Sequence, residues 1–249
     1  MRVRIGFRGV TTLVLLGVTM MIAGSCQRSI FRQYEYEEEI YLKLDGSATV
    51  MINSSIAALI ALRGLDEDPD PASRPDRDKI RAFYESPSVT VTRVSPPWRR
   101  FGRRFVQVRL DVSDIRHLAK SPALAWSTYQ FSTNGKEYHY RQIWGAPAAK
   151  TVPNVNWDGR EIVAVRMHLP SRIEYHNATS HKVDRGNIVG WEQPLKDRLA
   201  GTPLEMEVRM QTQSILYRTL TIFGIALAAA LTLMAAIVVW VKKKGAPAA

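Results

Sequence analysis

With Cys26 as its only cysteine, the chain can form no intramolecular disulfide. Other absences narrow the chemistry. No Gly-x-Ser-x-Gly elbow occurs to present a serine nucleophile, and the lone cysteine lies in a targeting segment. Neither Gly-x-Gly-x-x-Gly nor Gly-x-x-x-x-Gly-Lys is present, so the familiar backbone cradles for dinucleotides and nucleoside triphosphates are missing. No internal repeat or long low-complexity tract is present either.

Metal sets fare no better. His176 and His181 stand five residues apart across an expected turn, with no cysteine or paired carboxylate to complete a zinc site. They read, with His117, His139 and His168, as surface or strand histidines. Asp66, Asp68 and Asp70 alternate as in a calcium loop, yet Pro71 occupies the glycine position and Arg77 that of the closing glutamate. A solvated acidic loop is expected, with no metal and no cofactor.

What the chain has instead is an apolar segment at each end of a polar stretch. Leu220 to Val241 carries no charge, and its only polar residues are Thr221 and Thr232. As a helix, these residues rise about 33 Å, enough for a hydrocarbon core of roughly 30 Å. Lys242, Lys243 and Lys244 follow, with Trp240 at that edge and Tyr217 and Arg218 at the other. Lysines hold their side on the cytoplasmic face, so a short basic tail (242–249) is expected inside and the preceding domain outside. An α-helical span of this kind belongs to a plasma or inner membrane.

At the other end, Arg2, Arg4 and Arg8 precede an apolar run from Gly9 to Ser25, the pattern of a secretory signal peptide over residues 1–25. Small residues at Ala23 and Ser25 suit cleavage before Cys26. Ile22-Ala23-Gly24-Ser25-Cys26 is similar to a bacterial lipobox, in which the cysteine takes a lipid and becomes the mature N-terminus; Ala23 stands where leucine is usual. Lipidation at Cys26 is the preferred reading. Ordinary cleavage and an uncleaved signal anchor are the alternatives.

Between the anchors lies an expected extracytoplasmic domain, 26–218, ahead of a membrane helix at 219–241. The chain's net charge of +11 falls to +5 when the three N-terminal arginines and three terminal lysines are set aside. That surplus suits anionic head groups, while the address makes nucleic acid an unsuitable partner. Tyr34 to Leu44 alternates as a strand with Tyr34, Tyr36, Ile40, Leu42 and Leu44 on one face, and Asp45-Gly46 predicts a two-residue turn into a strand from Ser47 to Ile52. Asn53-Ser54-Ser55 offers caps to an all-apolar helix, Ile56 to Arg63, stopped by Gly64.

A helix over 78–84, strands over 89–94 and 105–112, and a short helix capped by Ser113 follow. A second hairpin crosses Asn134-Gly135, and four strands lie over 161–169, 172–176, 187–192 and 204–212. Strands outnumber helices, and helices fall between hairpins. The expected fold is α+β on antiparallel sheet, with one C-terminal transmembrane helix.

Three stretches carry a family likeness. The lipobox-like cysteine, the early Leu44-Asp45-Gly46-Ser47-Ala48 and the later Gly186-Asn187-Ile188-Val189-Gly190-Trp191, with a C-terminal helix ending in lysines, resemble the LppM-type bacterial lipoproteins. The resemblance implies a surface-facing, membrane-held α/β module without an established catalytic motif.

One cluster suggests a contact surface: Trp98, Arg99, Arg100, Phe101, Arg103 and Arg104, followed by Phe105. Planar guanidinium donors suit phosphate, and aromatic rings settle at lipid interfaces. The plainer reading, which is preferred, is a twisted hairpin with solvated arginines and with Trp98 and Phe105 packed inward. The leading functional expectation is a non-catalytic, membrane-tethered envelope lipoprotein that binds an anionic lipid, a glycan or a protein. An envelope enzyme with a site built from dispersed residues is the alternative. A signalling subunit ranks third, since only five residues follow the lysines.

Overall fold

A computed structural model describes residues 32–153 and 155–245; the basic start, Cys26 and residues 246–249 lie outside them. The first hairpin joins β1 (Gln33–Leu42) to β2 (Ala48–Ser55), with Leu42 paired to Ala48. Its turn is longer than the expected two residues. Lys43 N donates to Ser47 O (2.9 Å) and Gly46 N to Lys43 O (3.1 Å), leaving Leu44, Asp45 and Gly46 as a three-residue connection. Gly46 takes φ +87°, a conformation glycine adopts without a Cβ penalty. Leu44 therefore belongs to the turn and not to the strand.

Ser55 caps α1 (Ile56–Ala58) by accepting from Ala58 N at 3.0 Å, and the helix widens into a π-helical turn, Leu59–Arg63, before Gly64 stops it at φ +82°. The expected cap, helix and stop are all present, and every residue from Ile56 to Arg63 is buried. Asp76 caps α2 (Arg77–Tyr84). Next come β3 (Val89–Val94), β4 (Trp98–Arg100) and β5 (Arg103–Val112). The following short turns, Ile115–Lys120 and Pro122–Leu124, are 3-10 helices. Asp114, not Ser113, caps the first by accepting from Arg116 N, because its carboxylate is the acceptor within reach.

The Asn134-Gly135 hairpin joins β6 (Ser127–Thr133) and β7 (Glu137–Trp144). Then follow β8 (Glu161–His168), β9 (Ser171–His176), β10 (Ile188–Pro194) and a short helix the periodicity does not reveal, α3 (Leu195–Leu199). β11 (Leu204–Ser214) runs straight into α4 (Ile215–Gly245).

The fold is α+β, as expected. One sheet has the order β10-β8-β1-β2-β5-β3, with β4 added on β5, and the other is β6-β7-β11-β9. Ile40, Ile52, Val108, Val165 and Trp191 from the first join Tyr140, Trp144, Met206 and Val208 from the second in one apolar core. Each such side chain contributes about 1.5–3 kcal/mol on burial.

Two features of β1 depart from simple alternation. Its register against β8 shifts between Tyr34 and Tyr36, a β-bulge at Glu35. The extra residue switches parity, so Tyr36 enters the core while Tyr34 points to the other face, where its hydroxyl meets Glu192 at 2.7 Å. The two tyrosines therefore do not share a face.

The second feature is that β1 pairs with β8 in parallel. Gln33 and Glu161 consequently lie at one end of the sheet, and Tyr41 and His168 at the other. Ile215 N donates to Pro170 O at 2.9 Å, just past β8, so α4 departs from the His168 end. The seven steps from Glu161 to His168 separate the two ends by about 23 Å at the usual strand rise.

Candidate functional site

β4 and β5 form a tight hairpin in which Arg100 faces Arg103. Phe101 (φ +50°) and Gly102 (φ +73°) both take left-handed backbone, as a two-residue turn of this twist demands. At its tip, Trp98 and Phe101 are 37% and 40% exposed. Phe105 packs inward as expected; Trp98 instead lies on top of it, ring centroids 6.0 Å apart. The Arg100 guanidinium covers the Phe101 ring at 4.7 Å. Arg99 and Arg104 both donate to Pro71 O, at 2.9 and 2.8 Å, and so pin the acidic loop beside the tip.

Arg103 behaves differently. It is buried, lies 2.6 Å from the Glu35 carboxylate, and donates to Val155 O, Asn156 O and Gln33 Oε1. The bulge at Glu35 supplies its counter-charge. Trp98, Arg99, Arg100 and Phe101 thus stay exposed at the tip, Arg104 is half-buried against the acidic loop, and Arg103 ties the hairpin to β1 and to the 155–160 loop. Because Arg103 reaches Gln33, the hairpin tip stands at the end of the sheet opposite α4.

Two ionic groups that pattern reasoning missed occupy the core. Glu38, in the middle of β1, meets Arg63 at 2.5 Å, and Arg63 stacks over Trp126 (3.6 Å) and Tyr36 (4.2 Å). Tyr36 Oη donates to Glu38 Oε1 (2.6 Å), and Gln142 Nε2 reaches Glu38 Oε2 from the second sheet (3.4 Å). Arg198, also buried, covers Trp126 at 5.1 Å and donates to Gly145 O and Thr202 O. Burial, and then the charge of Arg63, make its guanidinium easier to deprotonate than usual. Burial likewise pushes the Tyr84 and Tyr129 phenols well up. The signal available in the sequence was Glu38 on the inward-facing side of β1.

Two histidines meet carboxylates along strands: His168 Nε2 lies 2.7 Å from Glu39, and His139 Nε2 lies 3.1 Å from Glu207. Asp66 pairs with Lys79 at 2.9 Å, while Asp68 and Asp70 accept from nearby backbone N–H groups. Among the described residues, no group of three or more His, Cys, Asp or Glu side chains is placed to hold a metal ion.

Two concavities stand out. One, of about 360 Å³, lies on the outer face of the first sheet and is lined by Arg32, Tyr34, Arg166, Thr179, Asp184 and Glu192. Its charges are largely matched internally, since Arg32 lies 2.6 Å from Glu192 and Arg166 pairs with Glu37. The other, of about 320 Å³, lies where α4 meets the domain. α4 itself is exposed, an 18-residue stretch within Ile215–Lys244 has a mean hydropathy of 2.7, and the helix is long and apolar enough to cross a membrane. Lys244 folds back over the Trp240 ring at 4.6 Å.

No family model matches the chain, and no curated protein matches it. Among solved structures, it is similar to the NMR structure of the folded domain of Mycobacterium tuberculosis LppM. The likeness is distant, with a TM-score of 0.40 and 11% identity, covering 74% of this chain and 94% of that one.

Proposed function

We propose that this chain is a non-catalytic module of a bacterial cell envelope, delivered by a signal peptide, lipidated at Cys26 and held in the plasma (inner) membrane by α4. Domain 26–218 faces outward and residues 242–249 face the cytoplasm. The observation that supports this reading best is the direct passage of β11 into an exposed apolar helix closed by three lysines. The domain's most buried carboxylates, Glu35 and Glu38, each face an arginine, an arrangement that suits scaffolding better than proton transfer.

The hairpin tip is the partner contact in this reading. Trp98, Arg99, Arg100, Phe101 and Arg104 present forked cationic donors beside aromatic faces, which suits an anionic glycan, an acidic protein surface or an anionic lipid. Full-length protein in phosphatidylcholine nanodiscs should bind a soluble polyanion at low salt and release it as ionic strength rises. Arg100→Ser combined with Phe101→Ser should weaken that binding about tenfold, since neither side chain supports the fold. Vesicles rich in phosphatidylglycerol, added to the same nanodiscs, form the lipid arm. Binding to neither, or binding indifferent to the double substitution, overturns the assignment.

A further inference from the structure

We infer that the cavity at the base of α4 seats the phosphate-bearing head group of an anionic phospholipid. The inference rests on the reading that α4 spans a bilayer, and it concerns a different surface from the hairpin tip. Arg172 from β9 and Arg218 from α4 line this cavity, together with Gln211, Asn187, Ile215 and Ile222. Its volume, about 320 Å³, falls within the roughly 300–1,000 Å³ of ordinary small-molecule sites.

The charges there are only partly matched. Arg218 makes no ion pair among the described residues, and Arg172 stands 3.9 Å from Glu174, whose Oε1 already accepts from Gln211 Nε2 at 2.6 Å. Two arginines line one space whose wall is otherwise largely apolar, and guanidinium donors match the oxygens of a phosphodiester. The position is equally specific. Arg218 lies two residues before the apolar run that starts at Leu220, about 3 Å along the helix axis, which is where head groups meet the hydrocarbon. Ile222, one turn further on, offers an apolar wall for the first acyl carbons.

The cavity is also held in shape without a ligand. Ile215 N donates to Pro170 O, Ser214 pairs with Ser171, and Asn187 Nδ2 donates to Leu169 O (2.8 Å) and Ser171 O (2.5 Å). These bonds fix the first turn of α4 against the β8–β9 turn, so the two arginines start from a preorganised arrangement.

The test uses the full chain in nanodiscs of mixed phosphatidylglycerol and phosphatidylcholine, released into native mass spectrometry. Wild type should retain one phosphatidylglycerol in preference to phosphatidylcholine, and Arg172→Gln with Arg218→Gln should cut that preference at least tenfold. Arg218→Gln alone, at an exposed and unpaired position, should cut it severalfold and guards against misfolding of the double variant. Inorganic phosphate at millimolar concentration should not displace the lipid; displacement would mark a free-anion site and overturn the lipid assignment. Equal retention of both lipids by wild type, or unchanged preference in Arg218→Gln, also overturns it. Resistance to alkaline extraction from the membrane is measured in parallel. If extraction removes the protein, the membrane-span reading fails; if it stays and shows no lipid preference, only the head-group seat fails.

Discussion

Glu38 and Arg63 meet 2.5 Å apart with side chains 1% and 0% exposed, and Gln142 ties this pair to the opposite sheet. Removing one partner strands the other charge in the core, a loss of about 3–5 kcal/mol. Arg63→Met and Glu38→Gln should each lower the denaturation midpoint of the detergent-solubilised full chain accordingly. The double variant Glu38→Gln/Arg63→Met should lose clearly less than the sum. Additive losses would mean that the two side chains contribute independently.

Glu35 gives a pH signature. Burial raises its carboxyl above the ordinary 4.5, and the opposing bonds from Ser55 and Arg103 do not cancel that effect. The folded state therefore holds this proton more tightly than the unfolded chain. The resulting stabilisation is complete below pH 4.5 and is lost as pH rises through the higher folded value. Relative to Glu35→Gln, wild type should lose stability across that window, measured as paired urea midpoints at stepped pH. A wild-type advantage that grows with pH would show that the Arg103 charge dominates instead.

Orientation can be read by labelling. In a Cys26→Ser background, a membrane-impermeant thiol reagent applied to intact cells should modify a cysteine introduced at Ser132 and spare one introduced at Ala248. Ser132 sits in β6 near the exposed Asn134-Gly135 turn, so labelling there needs no unfolding. The reverse pattern places the domain in the cytoplasm.

Intact mass decides the fate of Cys26. The mature chain should begin at Cys26 and carry a diacylglyceryl increment, and Cys26→Ser should remain in the membrane fraction through α4. A mature chain with a free Cys26 thiol would establish ordinary signal cleavage.

Local chemistry made much of this fold legible. Asn134-Gly135 marks its hairpin, Ser55 and Gly64 bracket the buried helix, and α4 declares itself by length and apolarity. Non-local pairing was not legible. The parallel match of β1 to β8 joins segments more than a hundred residues apart, and alternation cannot register the bulge that sends Tyr34 and Tyr36 to opposite faces. Arg63 went unremarked at the end of an apolar helix because its counter-charge lies 25 residues earlier, on another element. The hairpin cluster was visible as a group, but Arg103 could be separated from it only once Glu35 was placed opposite.

The parallel pairing of β1 with β8 also sets a mechanical constraint. It puts Arg32 at least about 23 Å from the base of α4, whereas the six links from Cys26 to Arg32 reach at most about 21 Å when fully stretched. If Cys26 carries a lipid in the outer leaflet, that lipid would act as a guy line too short for an upright domain and would lean the sheet toward the bilayer. Without that lipid only α4 would hold the domain, and the arginine-bearing tip could stand away from the membrane. Acylation of one cysteine would then set how far from the membrane this protein can reach.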